Sequence, residues 1–394
     1  MRPRVARRWL SSTLAIILGL LGALTVAPAE ATAFDRGRAL TVMTRNIYVG
    51  GDITRPFRAV RGLTGWPALL ALGHANHELR TIVDRTDFGV RSRLLAREIA
   101  RAAPDVIGLQ EVALWRSGPM ELNRLGVTNA TAVDYDFLAM LLHQLRAHHS
   151  PYRLASEQQA SDVEAPAFLG DPRLGTAKQP RDVRLTVRDV ILVRQHGGVR
   201  VSDRGGAQYK ARINVEVGGA AQQIVRGYTW ADIHVRSRRI RFVNTHLESQ
   251  SADLALAQAR ELLASSAMRA PKTLLVCDCN SDPLADSVRP GSTVPYSAAY
   301  RLLTGSSGGF RDLWLRQRRP GPGLTAVLSE LVNDQSAAAL DRRLDLVLAR
   351  TPQWRRLPEV VRARVTGDQL RDRDRRTGLW PSDHAGVAIR LRLR

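Results

Sequence analysis

The sequence predicts a layered α/β or α+β domain, and three observations predict it. Strand-like segments at residues 40–44, 106–110, 190–193, 240–245, 273–276, 344–348 and 386–391 are short and often apolar on both faces. Such strands belong to sheets covered on both sides. Helical periodicity falls between them, at residues 88–102, 135–148, 251–268 and 297–303, and Ser251-Ala-Asp supplies a fair N-cap. Between residues 183 and 244 several strand candidates follow one another without a helix, which argues against a simple doubly wound order.

In chain order, the first element is a secretory signal. Arg2, Arg4, Arg7 and Arg8 form a positive n-region, residues 14–26 are an apolar run, and Ala31-Thr32-Ala33 is a small-x-small cleavage site. The run is too short to span a bilayer comfortably. Cleavage after residue 33 is expected to leave a soluble, secreted, extracellular protein with no transmembrane anchor. Arg7-Arg8-Trp9-Leu10 also fits twin-arginine export. Residues 34–394 then read as one domain, since no linker or internal repeat divides them. Insertions are expected near 50–87, which holds Pro56 and Pro67, and near 115–180, with its run Gly170-Asp-Pro-Arg-Leu-Gly. Residues 320–339 form a third, Gly/Pro-rich stretch. Long connections of this kind usually serve a site or are mobile. Cys277 and Cys279 are the only cysteines. In an extended strand both point to one face, so buried, unbridged thiols are expected.

Composition is globular: 44% of the 394 residues are hydrophobic, 24% charged and 5% aromatic. This excludes a disordered tail, a collagen-like fibre and a polytopic membrane protein. The 58 Lys+Arg outnumber the 37 Asp+Glu, a net charge of +21, and only Lys178, Lys210 and Lys272 are lysine. Removing residues 1–33 takes away four arginines and Glu30, leaving +18. A strongly basic surface attracts polyanions, whereas arginines scattered by codon bias would form no patch.

Polar residues mark the carboxyl ends of the apolar strands, where α/β folds often build sites. Thr41-Val-Met-Thr-Arg ends in Asn46, Asp105-Val-Ile-Gly-Leu-Gln in Glu111, and Phe242-Val-Asn-Thr in His246. Asp278 and Asn280 stand two apart after residues 275–277. Asp345 lies in apolar surroundings, and Asp383-His384 precedes the final strand. Taken singly, each reads as a turn residue, a satisfied core histidine or an ordinary ion pair. Together they offer oxygen ligands and two imidazoles, which suit phosphate chemistry assisted by a hard cation. The cysteine or multi-histidine spacing of a zinc site is missing.

The series Met43-Thr-Arg-Asn46, Ile107-Gly-Leu-Gln-Glu-Val112, Asn244-Thr-His246-Leu-Glu, Cys277-Asp-Cys-Asn280-Ser-Asp-Pro283, Arg343-Leu-Asp345 and Ser382-Asp383-His384 resembles the endonuclease/exonuclease/phosphatase superfamily. The matches run in family order from residue 41 nearly to the end of the chain. The resemblance implies an α+β fold, a four-layer α/β/β/α sandwich of the deoxyribonuclease-like type. It implies Glu111 as the principal Mg²⁺ ligand, with Asn46 and Asp383 beside the metal, and Mn²⁺ or Ca²⁺ as alternative ions. Asp278 would orient or deprotonate the attacking water, and Asn280 would position the phosphate. His384 would face the scissile phosphate with its tautomer set by Asp345, and His246 would be the second phosphate-binding histidine. Arg226 is the candidate phosphate clamp. The family's usual tyrosine has only Tyr209 and Tyr228 as candidates. Cysteine at 277 and 279, where glycine and an aromatic are common, changes packing behind Asp278 without touching a proposed catalytic atom.

The reading that follows is an exported, Mg²⁺-dependent phosphodiester hydrolase, a nuclease acting on extracellular nucleic acid, and a monomer. The alternatives are a sphingomyelinase-like phospholipid phosphodiesterase with peripheral lipid contact, for which Trp66 is the candidate membrane-entering residue although its stretch reads first as an ordinary packed helix start, and an inositol or nucleotide phosphatase. A non-enzymatic alternative is an inactive polyanion-binding module on the same fold.

Overall fold

Side chains along the central strands alternate between two apolar environments, and that alternation builds the layers. The computed structural model describes residues 39–217, 220–350 and 357–393; the expected signal segment, 1–33, lies outside them. The elements run β1 (Ala39–Asn46), α1 (Arg55–Ala59), α2 (Gly65–Arg85), α3 (Phe88–Ala102), β2 (Val106–Gly118), β3 (Ala132–Asp136), α4 (Phe137–Ala147), β4 (Tyr152–Leu169) and β5 (Lys178–Arg194). There follow β6 (Val199–Gln208), β7 (Ile213–Val217), β8 (Ala220–Ile224), β9 (Gly227–Val235), β10 (Arg238–His246), α5 (Ala252–Ala264) and β11 (Thr273–Asp278). The last are α6 (Ala298–Thr304), β12 (Phe310–Asp312), β13 (Asp345–Arg350), β14 (Glu359–Thr366) and β15 (Gly386–Arg392).

Two mixed sheets stack face to face. The first has the order β14-β15-β1-β2-β5-β4 with β3 on β2, and the second has β12-β13-β11-β10-β9-β6. Leu40 and Val42 of β1 face Phe242, Leu274 and Val276 of the other sheet in a core between the two. Met43 and Ile107 point the other way, into a core with Leu95 and Ile99 of α3 and Phe137 and Leu141 of α4. Val243, Leu275 and Leu346 likewise turn outward to Ala259 and Leu262 of α5 and Leu303 of α6. The result is the four-layer α/β/β/α sandwich expected from the sequence.

Each sheet has one parallel pair at its centre, β1 with β2 and β10 with β11. The strand outside each pair is antiparallel: β15 beside β1, and β13 beside β11. An antiparallel strand starts where its neighbour ends. The carboxyl ends of β1 and β11 therefore meet the residues that lead into β15 and β13.

The expected helix at 88–102 has those bounds, and Asp87 caps it by accepting from Val90 N. The pattern at 135–148 begins as strand, then becomes α4 once the Asp136 carboxylate accepts from Leu138 N and Ala139 N. The 50–87 stretch carries α1 and the long α2. Pro67 sits in the first turn of α2, where no N–H is needed. Gly73 lies under Phe168 of β4, where a Cβ would come within 2.3 Å of the ring. Trp66 is engaged there: its Nε1 donates to Asp171 Oδ2 at 3.2 Å and Arg173 lies 3.9 Å over its ring. The 115–180 stretch is mostly sheet, since β2 runs on to Gly118 and β4 pairs with β5 as a long hairpin. Three register shifts in that hairpin break the two-residue alternation that a strand otherwise shows.

The expectation of free thiols is overturned, because Cys277 and Cys279 form a disulfide. The expectation assumed extended backbone through both residues. Instead β11 ends at Asp278, Cys279 N turns to Leu344 O at 2.9 Å, and the two Cα atoms stand 5.0 Å apart. That separation lies within the bridging range. Among the described residues no helix is long and apolar enough to cross a membrane.

Gly108 allows a close approach of the two sheets. A Cβ there would lie 2.4 Å from Val276 Cγ2 and 2.7 Å from Asn244 Oδ1. Gly108→Ala should lower unfolding free energy by about 1–3 kcal/mol through overpacking, measured by urea denaturation. An unchanged midpoint at unchanged slope would show that the sheets do not meet this tightly.

Candidate active site

The strand geometry sets three of the expected residues side by side. In the registers of the second sheet His246 of β10 pairs with Asp278 of β11, and Asp278 pairs with Asp345 of β13. Across the sandwich, Asn46 ends β1, and His384 sits just before β15, which runs antiparallel to β1. Asp278 is where these residues converge. Its Oδ2 accepts from Asn46 Nδ2 at 3.0 Å and lies 3.4 Å from His246 Nε2 and 3.7 Å from His384 Nε2. Its Oδ1 accepts from Asn280 N at 3.2 Å. Asp278 and Asp345 are fully buried, with His246 and His384 nearly so.

The two imidazoles are held in opposite charge states. Burial disfavours the cation at His384, but Asp345, Asp278 and Asp383 outweigh burial and push its pKa up to about 10. Its Nδ1 donates to Asp345 Oδ2 at 2.8 Å, so Asp345 orients the ring. His246 is driven well below its usual value by burial, then by the Arg226 and His384 charges. A guanidinium can only donate, so the 2.9 Å contact from Arg226 Nη1 makes His246 Nδ1 an acceptor. The ring is therefore neutral with its proton on Nε2, the edge facing Asp278. Burial raises the Asp278 pKa, His384 opposes this, and Asp345 adds to it.

Glu111 stands at a β-bulge. Leu109 pairs with Val190 and Val112 with Arg188, so Gln110 and Glu111 together oppose Asp189 alone. Glu111 takes a left-handed φ of 60°, an uncommon conformation for a non-glycine residue. The bulge turns its carboxylate toward β1, where Oε2 accepts from Val49 N at 2.8 Å. Glu111, Asp383, Arg226, Tyr48 and Glu248 line one cleft of about 130 Å³. Burial pushes Asp383 up to about 6, with Glu111 and Asp278 adding to the shift while His384 and Arg91 oppose it. Asn280, also at positive φ (41°), donates its Nδ2 to Leu247 O at 2.9 Å, tying the end of β11 to that of β10.

All nine expected residues thus lie at one end of the sandwich, and each is tied by a hydrogen bond, an ion pair or a shared cleft to another. The loop carrying Asp383 and His384 is fastened by buried arginines. Arg45 donates to Asn46 O and to His384 O and pairs with Glu98 at 3.0 Å. Arg91 donates to Ile47 O at 2.8 Å, Tyr48 O at 3.1 Å and Pro381 O at 3.3 Å. Ser382 Oγ donates to Asn46 O at 2.8 Å.

Three residues of the site escaped the sequence reading. Tyr48 lines the cleft, whereas the tyrosine candidate Tyr209 is buried against Thr245 Oγ1 at 2.8 Å. Glu248 Oε2 lies 3.5 Å from Arg226 Nε and is buried. It stands inside the quoted segment Asn244-Thr-His246-Leu-Glu, where its charge was a usable signal. Asp189 is buried with no partner for either carboxylate oxygen, and burial raises its pKa well above the usual range while Arg226 opposes. Nothing in its sequence context separates it from an ordinary strand-start aspartate.

As a cation site the donors are consistent. Glu111, Asp383 and Asn46 offer hard oxygens, and the two sulfurs are tied up in the disulfide. Burial is the largest cause of the raised Asp383 and Asp278 pKa values and neighbouring carboxylates add to it, so a divalent cation there would offset both. Ligand atoms of Asp278, Asp345 and His384 also lie within 4.8 Å of one another. Both ring nitrogens of His384 there face carboxylates, which accounts for that cluster as a hydrogen-bonded ion group.

No protein-family model matches the sequence, and no curated protein matches it. Solved structures do. An endonuclease/exonuclease/phosphatase family protein from Bacteroides thetaiotaomicron superposes with a TM-score of 0.50 at 15% identity, over 90% of this chain and 98% of the other. The fold is that of the endonuclease/exonuclease/phosphatase proteins. Further matches with a TM-score of 0.49 are D. rerio TDP2 complexed with single strand DNA product (14% identity, 90% of this chain, 98% of that one) and the B. thetaiotaomicron mannosyl-6-phosphatase (16%, 89% and 99%). At these identities the likeness concerns the endonuclease/exonuclease/phosphatase fold alone.

A histidine whose folded pKa lies above its unfolded value of ~6.5 contributes stability that is complete below that value and lost as pH rises through about 10. In EDTA, the stability difference between the wild type and His384→Gln should therefore shrink between pH 7 and 10. Asp345→Asn should move the loss to lower pH. A difference that is constant across this range, by urea denaturation, would contradict the charged assignment of His384.

Proposed function

We propose that the chain is a divalent-metal-dependent hydrolase of phosphodiester bonds. The observation that carries the reading is Asp278 held between a neutral and a cationic imidazole beside a cleft lined with Glu111, Asp383 and Arg226. Mg²⁺ is the proposed ion, held by Glu111 with Asp383 and Asn46, and when bound it supplies Lewis-acid polarisation of the phosphoryl group. Asp278 takes the proton of the attacking water as the water oxygen bonds to phosphorus. The ester P–O bond opposite breaks, and the departing oxygen leaves as the alcohol after taking a proton from solvent. Asn46 and the Asn280 backbone N–H orient the Asp278 carboxylate. The His384 cation donates through Nε2 to a phosphoryl oxygen as negative charge builds there, while Asp345 holds the opposite edge of the ring. His246 presents a neutral Nε2–H, kept in that tautomer by Arg226. Groups whose proton affinities are pushed apart by their surroundings divide acid and base roles in this way.

Nucleic acid is the proposed substrate. A groove of about 970 Å³ shares Thr54, Ile224 and Gln250 with the cleft and carries Arg58 and Arg61 on its wall. It gives an extended anionic chain a path past the cleft. The net charge of +18 on residues 34–394 supports the same reading. The 1–33 segment supports export to the extracellular space. N-terminal sequencing of protein recovered from the medium should begin just after Ala33; a sequence beginning at Met1 would contradict cleavage.

Plasmid DNA and RNA should be cut with Mg²⁺, spared with EDTA and cut more slowly as salt rises. Asp278→Asn and His384→Gln should each lower kcat by roughly 10²–10⁴-fold with the circular dichroism unchanged. Full activity in EDTA, or in either variant, would overturn the reading. Cleavage of bis-p-nitrophenyl phosphate with DNA and RNA left intact would keep the hydrolase and remove the nuclease.

A further inference from the structure

Beside the catalytic cleft lies an apolar cavity of about 80 Å³. This is several times the ~10–15 Å³ that one water needs. Ala68 and Leu72 of α2 form one wall, and Leu185 and Val187 of β5 form another. Ile53 and Ile224 line both this cavity and the cleft holding Glu111, Arg226 and Asp383, so the two spaces adjoin at these side chains. The cavity exists because the 50–87 stretch folds as helices over the β4–β5 hairpin instead of running as a loop.

Its polar neighbours are turned away to backbone partners. Asn76 Nδ2 donates to Ala165 O at 2.9 Å and Pro166 O at 3.1 Å. Ser161 Oγ donates to Val225 O at 3.0 Å and accepts from Val225 N at 2.9 Å, and Glu164 Oε2 accepts from Ala130 N at 2.9 Å. A polar occupant would give up its hydrogen bonds with water at an apolar wall, whereas an apolar one gains by burial. A nucleobase edge is poorly served there, and the volume is too small for a long acyl chain.

We propose that this cavity is a subsite for a small uncharged apolar group, an aryl ring or a short alkyl chain, esterified to the phosphate that the cleft holds. The proposal rests on reading the cleft as a phosphodiester hydrolase, and not on nucleic acid as the substrate. It adds a specificity that the strand-end residues do not determine.

The test compares the methyl and phenyl esters of p-nitrophenyl phosphate, assayed with Mg²⁺ on the full chain. The phenyl ester should show a kcat/KM about 10-fold higher or more, the scale on which apolar pockets discriminate. Ala68→Phe, which plugs the cavity, should abolish the preference while leaving the methyl ester unaffected. Leu72→Ala, which enlarges the cavity, should shift the preference to a naphthyl ester and serves where the plugged variant does not fold. Equal rates for the methyl and phenyl esters, or a preference unchanged in both variants, would overturn the subsite. If neither ester is hydrolysed, the hydrolase reading fails and calorimetry still decides the cavity. Phenyl phosphate should then bind the wild type about 10-fold more tightly than methyl phosphate, and equal binding would refute the proposal.

Discussion

The structure is organised around carboxylates set at the ends of buried strands. Asp278 and Asp345 are fully enclosed, and Asp383 and Glu111 line the adjoining cleft. Removing such groups from water costs several kcal/mol each unless partners compensate. The compensation is local and specific. The His384 cation lies between Asp345 and Asp278, Arg226 lies beside Glu248 and His246, and Arg91 lowers the proton affinity of Asp383. What remains uncompensated shows in the raised Asp383 and Asp278 pKa values and in the unpartnered Asp189 and Asp345 Oδ1. Buried carboxylates left incompletely paired in this way are where a cation or a substrate would add the missing compensation.

The two sheets place these groups by one shared rule. Each has a single parallel pair at its centre, so β1 and β2, and β10 and β11, end at the same edge. The antiparallel strands β15 and β13 begin at that edge and bring His384 and Asp345 back to it. Fully buried Asn244 spans the sandwich there: its Nδ2 donates to Leu109 O at 2.8 Å and Val190 O at 3.1 Å, and its Oδ1 accepts from Gln110 Nε2 at 2.6 Å. The inter-sheet register and the site geometry are therefore coupled. Left-handed backbone at Tyr48, Glu111 and Asn280 is a further local adjustment.

Much of this was legible in the sequence. The seven apolar strands named from pattern all exist, because strands buried on both faces are written as continuous apolar runs. The nine candidate site residues share one end of the sandwich, because strand-end polar residues following such runs have few other places to go. What was hidden depends on contacts between distant segments. The β4–β5 hairpin escaped because bulges reset its alternation, and only the start of α2 was legible because Pro67 and the glycines of 50–87 suggested an excursion. The Cys277–Cys279 bridge needed the end of β11 to be placed within one residue. The arginine excess also reads differently in three dimensions. Arg45, Arg91, Arg226, Arg241 and Arg343 are buried partners of carbonyls, carboxylates or a ring nitrogen. Part of the positive charge is thus paired inside the fold, while Arg58, itself paired with Asp52, and Arg61 line the groove.

In the proposed function Glu111, with Asp383 and Asn46, holds a divalent cation. Titrating metal-free protein with Mn²⁺ by calorimetry tests that assignment most directly, with Glu111→Gln as the comparison. The account predicts saturable binding by the wild type and binding weakened at least 10-fold in the folded variant. Equal binding by both proteins, or none by the wild type, would contradict it.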